Sequence, residues 1–210
     1  MSNQTPPNFL FIMADDLGFG DVSFRGLTPD VRTPAIDRIA HEGVRLDHFY
    51  SNGPVCSPAR TSLLTGRRCE LVDVPGVVRP AHPDHDYGHL NHDAVSLVEL
   101  LRDKGGYRTS LLGKWHLGIE PPNYPLDRGF DHFRGNIYGM VDCYYRHNRG
   151  ENNFMRSGRE TLDVSGTHTS ELYTDWALQE LERCRDSNDP FFMYLSYNAP
   201  QVVSTMRVRC

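Results

Sequence analysis

The 210-residue sequence has few cysteines, no excess of basic residues and no long apolar run. Its five cysteines are odd in number and unevenly spaced, which argues against a disulfide framework, and no Cys-x-x-Cys pair indicates a structural zinc ion. A net charge of −5 lacks the electrostatic signature of a nucleic-acid-binding protein. The apolar runs at 9–14 and 191–195 are far shorter than the roughly 20 residues that span a bilayer. We therefore expect neither nucleic acid nor a membrane among its partners.

The beginning of the chain lacks the basic residues followed by an apolar stretch that mark a secretory signal. This absence predicts a cytoplasmic protein whose thiols stay reduced. Hydrophobic residues make up 39% of the sequence and charged residues 23%, which is typical of a globular protein and not of a disordered one. The length fits one large domain or one and a half. The sequence does not indicate an oligomeric state.

Apolar runs and helical periodicities alternate along the chain. This alternation is typical of an α/β fold with a mainly parallel sheet. The run at 9–14 is apolar on both faces and predicts a fully buried strand, whereas the segment 119–168 is irregular and is left unassigned. Strands are predicted at 9–14, 44–50, 107–112 and 191–197, and helices between Thr33 and Gly43, over 97–104 and near 170–185.

Two adjacent carboxylates, Asp15 and Asp16, follow the first predicted strand. Carboxylates at a buried strand end need a cation or hydrogen bonds, and ligands of open α/β sheets bind at this edge. Carboxylate oxygens suit a hard cation, Ca²⁺ or Mg²⁺. Taken alone, however, such a short pair favours the alternative, which is a polar loop without a metal ion. In that loop Gly18, Gly20 and Asp21 would simply turn the chain.

The segment from Cys56 to Gly66 predicts a helix preceded by a reactive position. Ser57 is a good N-cap, Pro58 suits the first helical position and Gly66 suits the C-terminal cap. Cys56 would then lie just before a helix N-terminus that favours an anion, and Arg60 could reach back to the same spot. A structural cysteine before an ordinary helix is an equally good interpretation of this segment alone.

A second polar group follows the strand at 107–112. If the extended conformation continues, Lys114 and His116 point to one side and Trp115 to the other. An ammonium group and an imidazole facing one pocket suit an oxyanion substrate and proton transfer. The alternative is a solvated lysine beside a packed tryptophan and a surface histidine, which this short string alone favours.

Four histidines near the middle of the chain match a zinc site in number. Their surroundings are rich in Pro, Asp, Gly and Asn and have no apolar period, which favours a flexible surface loop. They are His82, His85, His89 and His92.

Taken together, these motifs resemble the type I sulfatases of the alkaline-phosphatase-like superfamily. Cys56 and Arg60 match the C-x-P-x-R signature of that family, and Thr65-Gly66 matches its extension. The resemblance implies an alkaline-phosphatase-like α/β fold, with a mainly parallel sheet flanked by helices on both faces. The segments that carry the resemblance are 8–22, 33–50, 55–67 and 106–118, with 126–135 and 191–200 as later ones.

The resemblance also implies domain limits. Residues 8–201 would be the N-terminal portion of a sulfatase catalytic domain, and residues 202–210 would be a tail that departs from the family pattern. The fold would then be incomplete at its C-terminus. The family completes its calcium site with an Asp-Asn pair and a further lysine far downstream, and these lie beyond the 210 residues.

The chemistry that the resemblance implies begins at Cys56. A separate maturation enzyme would oxidise this residue to formylglycine, whose hydrate attacks the sulfur of a small-molecule or glycan sulfate ester. Arg60 would steady the formylglycine, Lys114 would bind a sulfate oxygen and His116 would handle a proton. The physics agrees, because charge on the sulfate oxygens must be held by preorganised cations and the nucleophile needs activation.

Calcium is the implied metal, with magnesium less favoured. Asp15, Asp16 and residue 56 would supply part of its ligand set. Gln201 stands where the family usually has a histidine that binds sulfate. Two alternatives remain open: a phosphonate or phosphodiester hydrolase of the same superfamily, and a truncated, catalytically inactive fragment.

Overall fold

A computed structural model describes residues 6–79, 87–187 and 189–201. In these ranges the chain forms α-helices, strands and three short 3₁₀ turns, which lie at Ser23–Arg25, Cys69–Val72 and Pro125–Arg128. The α-helices are Pro34–Glu42 (α1), Cys56–Thr65 (α2), Leu97–Gly105 (α3) and Thr169–Arg185 (α4). The strands are Phe9–Asp15 (β1), Arg108–Gly113 (β2), His132–Asn136 (β3), Asn148–Arg149 (β4), Asn152–Asn153 (β5), Met155–Ser157 (β6), Glu160–Thr161 (β7) and Phe191–Pro200 (β8).

The main sheet has six strands in the order β1-β8-β2-β3-β6-β7. The pairs β1–β8, β8–β2 and β2–β3 are parallel, whereas β3–β6 and β6–β7 are antiparallel. Strands β4 and β5 form a separate antiparallel hairpin. The predicted mainly parallel α/β sheet is therefore confirmed, and the unassigned segment 119–168 supplies its antiparallel edge.

Helices cover both faces of the sheet, as predicted. Successive residues of a strand point to opposite faces, so Leu111 packs on the α2 and α3 side while Leu112 packs on the α4 side. On α4 the side chains of Tyr173 and Trp176 are buried against the sheet. Each fully buried side chain of this size stabilises the fold by about 1.5–3 kcal/mol.

The helix ends follow the sequence signals with two exceptions, of which the first is Thr33, whose side chain makes no capping hydrogen bond to α1 although it precedes that helix as predicted. Ser96 and Glu99 form a reciprocal capping box at α3, with Glu99 N–H donating to Ser96 Oγ over 3.1 Å and Ser96 N–H donating to Glu99 Oε2 over 2.7 Å. The cap predicted at Ser57 is wrong. Helix α2 already begins at Cys56, and Ser57 Oγ instead accepts the backbone N–H of Val78 over 3.1 Å.

The strand predicted at 44–50 is also wrong. These residues form an irregular loop after α1, and Val44, Phe49 and Tyr50 are 89%, 76% and 76% exposed. Alternation of apolar and polar residues marks a strand only where a neighbouring strand and a core face are present, and this segment has neither among the described residues.

Strand β1 is the second correction to the predicted strands. It forms at the predicted place, but within the described residues it pairs on one side only, with β8. Its first four side chains are 39–52% exposed, so the prediction of a fully buried strand is wrong for this structure. They are Phe9, Leu10, Phe11 and Ile12.

Several predictions fall partly or wholly outside the described residues. The tail at 202–210, together with His82 and His85, lies there. His89 and His92 lie in irregular structure, and neither belongs to the potential metal-binding group found among the described residues.

None of the helices in the described ranges combines the length and the apolar content that crossing a bilayer requires. The described cysteines are free thiols, namely Cys56, Cys69, Cys143 and Cys184.

Glycines allow β2, β3 and β8 to approach one another closely at their carboxyl ends. Gly113 ends β2 with a φ of 106°, and a Cβ there would overlap the carbonyl oxygen of Ser196. A Cβ at Gly135 would overlap the carbonyl oxygen of Gly113 in the same way. The neighbouring atoms are backbone atoms of paired strands, which cannot move without breaking the sheet.

We predict that Gly135→Ala destabilises the protein by about 2–3 kcal/mol through overpacking. In a chain of this size that loss lowers the melting temperature by roughly 5–10 °C. The control is Gly158→Ala, because nothing lies within 4 Å of its Cβ position and its φ of 59° adds backbone strain alone, about 1–2 kcal/mol. Equal melting temperatures for the two variants would contradict the close contact.

Candidate functional site

The candidate site lies where neighbouring parallel strands reach their carboxyl ends. Asp15 is the last residue of β1, Lys114 directly follows β2, and Gln201 directly follows β8. Helix α2 begins at the same place, so Cys56 is in its first turn. Strands that run side by side in parallel end at one edge of the sheet, and this edge brings together residues far apart in sequence.

The thiol of Cys56 is in contact with three of these side chains. It donates a hydrogen bond to Asp15 Oδ1 over 3.5 Å, and it accepts hydrogen bonds from Lys114 Nζ over 3.2 Å and from Gln201 Nε2 over 3.6 Å. Lys114 Nζ also donates to Gln201 Oε1 over 3.1 Å. The position predicted to carry the reactive group is therefore surrounded by an acid, an amine and an amide.

Buried ionic contacts stabilise the floor of the site. Lys114 forms an ion pair with Asp15, and the guanidinium of Arg60 lies 3.5 Å from the same carboxylate. Arg60 Nη1 donates to the Lys114 carbonyl over 3.2 Å, to the Tyr194 hydroxyl over 3.1 Å and to Ser196 Oγ. Both cations are fully buried. Burial and the nearby Arg60 charge lower the pKa of Lys114, whereas Asp15 opposes that shift.

His116 lies next to this cluster in a left-handed conformation, with a φ of 65°. The extended conformation that the prediction assumed therefore does not continue after Gly113, but the predicted arrangement is found, because Lys114 and His116 both face the site. Trp115 turns away into the core, where its Nε1 donates to the Asn123 carbonyl over 2.9 Å.

The imidazole of His116 is held in one tautomer. Its Nε2 lies 3.1 Å from the Val78 carbonyl, which can only accept, so the proton is on Nε2. Nδ1 is buried and has no partner among the described residues. Burial, together with the charges of Lys114 and Arg60, lowers the pKa of His116 well below 6.5. The shift favours the uncharged ring, whose Nδ1 has a lone pair that no described residue occupies.

Gly139 is a site residue that sequence reasoning missed. A Cβ at this position would overlap three atoms of the His116 ring, so only glycine leaves room for the imidazole. Tyr138 lies beside the same ring, with a centroid separation of 5.9 Å. A single sequence carries no signal for this contact, because it depends on a loop that the sequence left unassigned.

Asp15, Asp16 and Cys56 are the described residues that could hold a metal ion together. One potential ligand atom from each lies within 4.8 Å of the other two. Two carboxylates are ligands for a hard cation such as Ca²⁺, which takes six to eight oxygen atoms. The described residues therefore fit part of a calcium site, and further ligands are needed to complete it.

A cavity of about 250 Å³ opens above the thiol. Three of the predicted site residues, Asp16, Cys56 and His116, line it, together with residues that the sequence did not indicate as site residues, among them Met140 and two arginines. The polar residues that line it are Asp16, Cys56, Arg79, His116, Arg149 and Gln201.

Comparison with known proteins agrees with this geometry. The family model described as Sulfatase matches residues 7–203. The chain is 33% identical to N-acetylgalactosamine-6-sulfatase of Sus scrofa, over 92% of this chain and 40% of that protein. It is 32% identical to arylsulfatase J of Mus musculus, over 94% of this chain and 33% of that protein. The chain thus spans well under half the length of these curated relatives.

Solved structures show the same relationship. The crystal structure of Ps i-CgsB matches with a TM-score of 0.84 and 29% identity, over 93% of this chain and 46% of that one. The structure of BT4656 with its substrate D-glucosamine-2-N,6-O-disulfate matches with a TM-score of 0.72 and 31% identity, over 93% of this chain and 35% of that one. The alkaline-phosphatase-like fold is thereby confirmed for the part that this chain covers. The chain belongs to the sulfatase family.

Proposed function

We propose that the whole protein hydrolyses sulfate esters and that residue 56, matured to formylglycine, is its nucleophile. The observation that carries this proposal is that Cys56, which lines the cavity together with His116, contacts Asp15 and Lys114, and that Arg60 lies against the same Asp15 carboxylate beneath it. A sulfate ester presents a tetrahedral anion, and the buried ammonium and guanidinium groups at this place are suited to bind its oxygens.

Each buried side chain has a distinct task under this proposal. Lys114, with its Nζ 3.2 Å from the Cys56 sulfur, holds a sulfate oxygen beside the nucleophile. Arg60 is anchored on β8 by the Tyr194 hydroxyl and keeps its charge next to residue 56. His116 accepts a proton at Nδ1, which is buried and unpartnered in the described structure. Burial of these groups excludes water and strengthens their interaction with charge on the substrate.

Two absent chemical groups would complete the site. Formylglycine, installed by a maturation enzyme, supplies an aldehyde hydrate as nucleophile in place of the thiol. Calcium, held in part by Asp15 and Asp16, neutralises charge on the substrate oxygens when it is bound. The two carboxylates are consistent with a cation at this place, and the buried Nδ1 of His116, which lines the cavity, has no partner among the described residues.

The cavity and the relatives both support the proposed substrate class. The cavity of about 250 Å³ is smaller than the roughly 300–1,000 Å³ pockets that enclose drug-sized ligands. One sugar ring or aryl group therefore suits it. Relatives named for N-acetylgalactosamine 6-sulfate and for a glucosamine disulfate support a small-molecule or glycan sulfate ester as the substrate.

The first test concerns the nucleophile. The whole protein, co-expressed with a formylglycine-generating enzyme, should carry an aldehyde on the peptide containing residue 56 by mass spectrometry, and should cleave aryl sulfates faster than aryl phosphodiesters or phosphonates. Cys56→Ala should abolish turnover, whereas Cys184→Ala on α4 should retain it. Full activity of the Cys56→Ala variant would rule out the nucleophile, and faster phosphodiester cleavage would favour the other hydrolase class.

The second test concerns calcium and does not depend on turnover. A ligand that binds only the folded state increases the free energy of unfolding, by about 2.7 kcal/mol at a ligand concentration of 100 Kd. The melting temperature rises as a result. Calcium should therefore raise the melting temperature of the whole protein, and Asp16→Asn should remove most of this increase. Asp30→Asn, at an exposed position outside the site, serves as the control. The same calcium response in both variants would speak against the site.

The third test concerns the room that Gly139 leaves for His116. Gly139→Ala should displace the imidazole and lower kcat by about 100-fold, because a misplacement of about 1 Å can cost that much. The control is Gly166→Ala, which has nothing within 4 Å of its Cβ position. Steady-state kinetics of the two variants, with melting temperatures measured alongside, would decide. An unchanged kcat in Gly139→Ala would show that the ring position is not critical.

A further inference from the structure

We infer that Arg149 binds a second anionic group of the substrate, so that the preferred substrate carries a sulfate or a carboxylate near the scissile sulfate ester. The inference rests on the proposed function and deepens it. Arg149 lines the same cavity as Cys56 and His116, and it lies on strand β4 of the small hairpin. Its side chain is exposed, so the guanidinium lies at the mouth of the cavity and not on its floor.

An aromatic ring holds the guanidinium at this mouth. Its Cζ lies 5.1 Å from the ring centroid of Tyr138, within the range of a cation–π interaction. Tyr138 is buried and stacks on Phe154 with a centroid separation of 4.6 Å and an interplanar angle of 18°. A side chain that is already oriented loses less conformational entropy when it binds a ligand.

The backbone before Arg149 is held just as firmly. Asp142 N–H donates to the Asn148 carbonyl over 2.9 Å, and the buried His147 contacts the Asp142 carbonyl through Nδ1 over 2.8 Å. The Asp142 carboxylate accepts three successive backbone N–H groups at 2.9–3.2 Å, those of Tyr144, Tyr145 and Arg146. These hydrogen bonds therefore fix the backbone of the loop that leads into Arg149.

The other described arginines that lie over aromatic rings have polar partners for their guanidinium groups. Arg25 and Arg45 pair with Asp47, Arg159 pairs with Asp127, and Arg134 donates to Gln179. In the same described ranges no such hydrogen bond or ion pair occurs for Arg149. The guanidinium donors of Arg149 are therefore available to a partner that the described residues do not supply.

The charges around the cavity agree with an anionic partner. Among the described lining residues, Asp16 is the one acid, whereas Arg79 and Arg149 are both basic. Under the proposed function Asp16 binds calcium, so this acid does not balance the positive charge of Arg149. A guanidinium binds sulfate and carboxylate alike through paired N–H donors, so the geometry defines an oxyanion and the test must separate the two sources.

The test compares matched substrates on the whole, matured protein. A hexosamine 6-sulfate is compared with the same sugar carrying a second sulfate, and with a disaccharide in which a uronate neighbours the sulfated sugar. Arg149→Gln should reduce the preference for one doubly anionic substrate, measured as a ratio of kcat/KM values, by about tenfold, or about 1.4 kcal/mol, because a charge-assisted hydrogen bond is lost. The affected substrate identifies sulfate or carboxylate as the recognised group.

The control is Arg159→Gln, because Arg159 lies over Tyr124 at the same 5.1 Å but does not line the cavity. Equal losses on all three substrates in Arg149→Gln, or an unchanged preference, would overturn the inference. Calorimetric titration of the Cys56→Ala background with the doubly anionic sugars measures binding without turnover. If Arg149→Gln weakens this binding tenfold, the result supports Arg149 as the binding residue even where the whole protein cleaves no sulfate ester. The absence of cleavage would count against the proposed function alone.

Discussion

The site depends on two cations buried beside one carboxylate. Arg60 and Lys114 have no exposed surface, and both contact Asp15. Buried charges are costly, and removal of one partner from such a cluster typically costs about 3–5 kcal/mol. With Asp16 included, the cluster is close to neutral, so a bound divalent cation would leave it with two excess positive charges. A tetrahedral oxyanion is the kind of ligand that balances this excess.

The fold delivers that cluster through parallel pairing. Three adjacent strands end at one edge, and each contributes a residue at its end or directly after it: Asp15, Lys114 and Gln201. Gly113 and Gly135 let the backbones approach where these strands finish. Helix α2 then inserts Arg60 beneath Cys56, because the two residues are four apart and lie on one helix face. Core packing and site geometry are thus set by the same residues.

Local signals predicted much of this arrangement. The Ser96 and Glu99 capping box and the acidic pair after β1 depend on neighbours in sequence, and sequence reasoning found both. Contacts between residues far apart in the chain could not be predicted from these local signals. The loop at 44–50 was mistaken for a strand because alternation does not reveal whether a pairing strand exists. Gly139 and Arg149 were missed because their roles depend on where an irregular segment folds back over His116.

The unpaired edge of strand β1 affects how this part of the chain behaves in solution. One side of its backbone has no hydrogen-bonding neighbour among the described residues, and Phe9 to Ile12 present apolar groups to water on both sides of the ribbon. Such an edge is a template onto which a strand of another molecule can add. With only the described residues around it, this edge would therefore favour self-association at high concentration unless a further strand shields it.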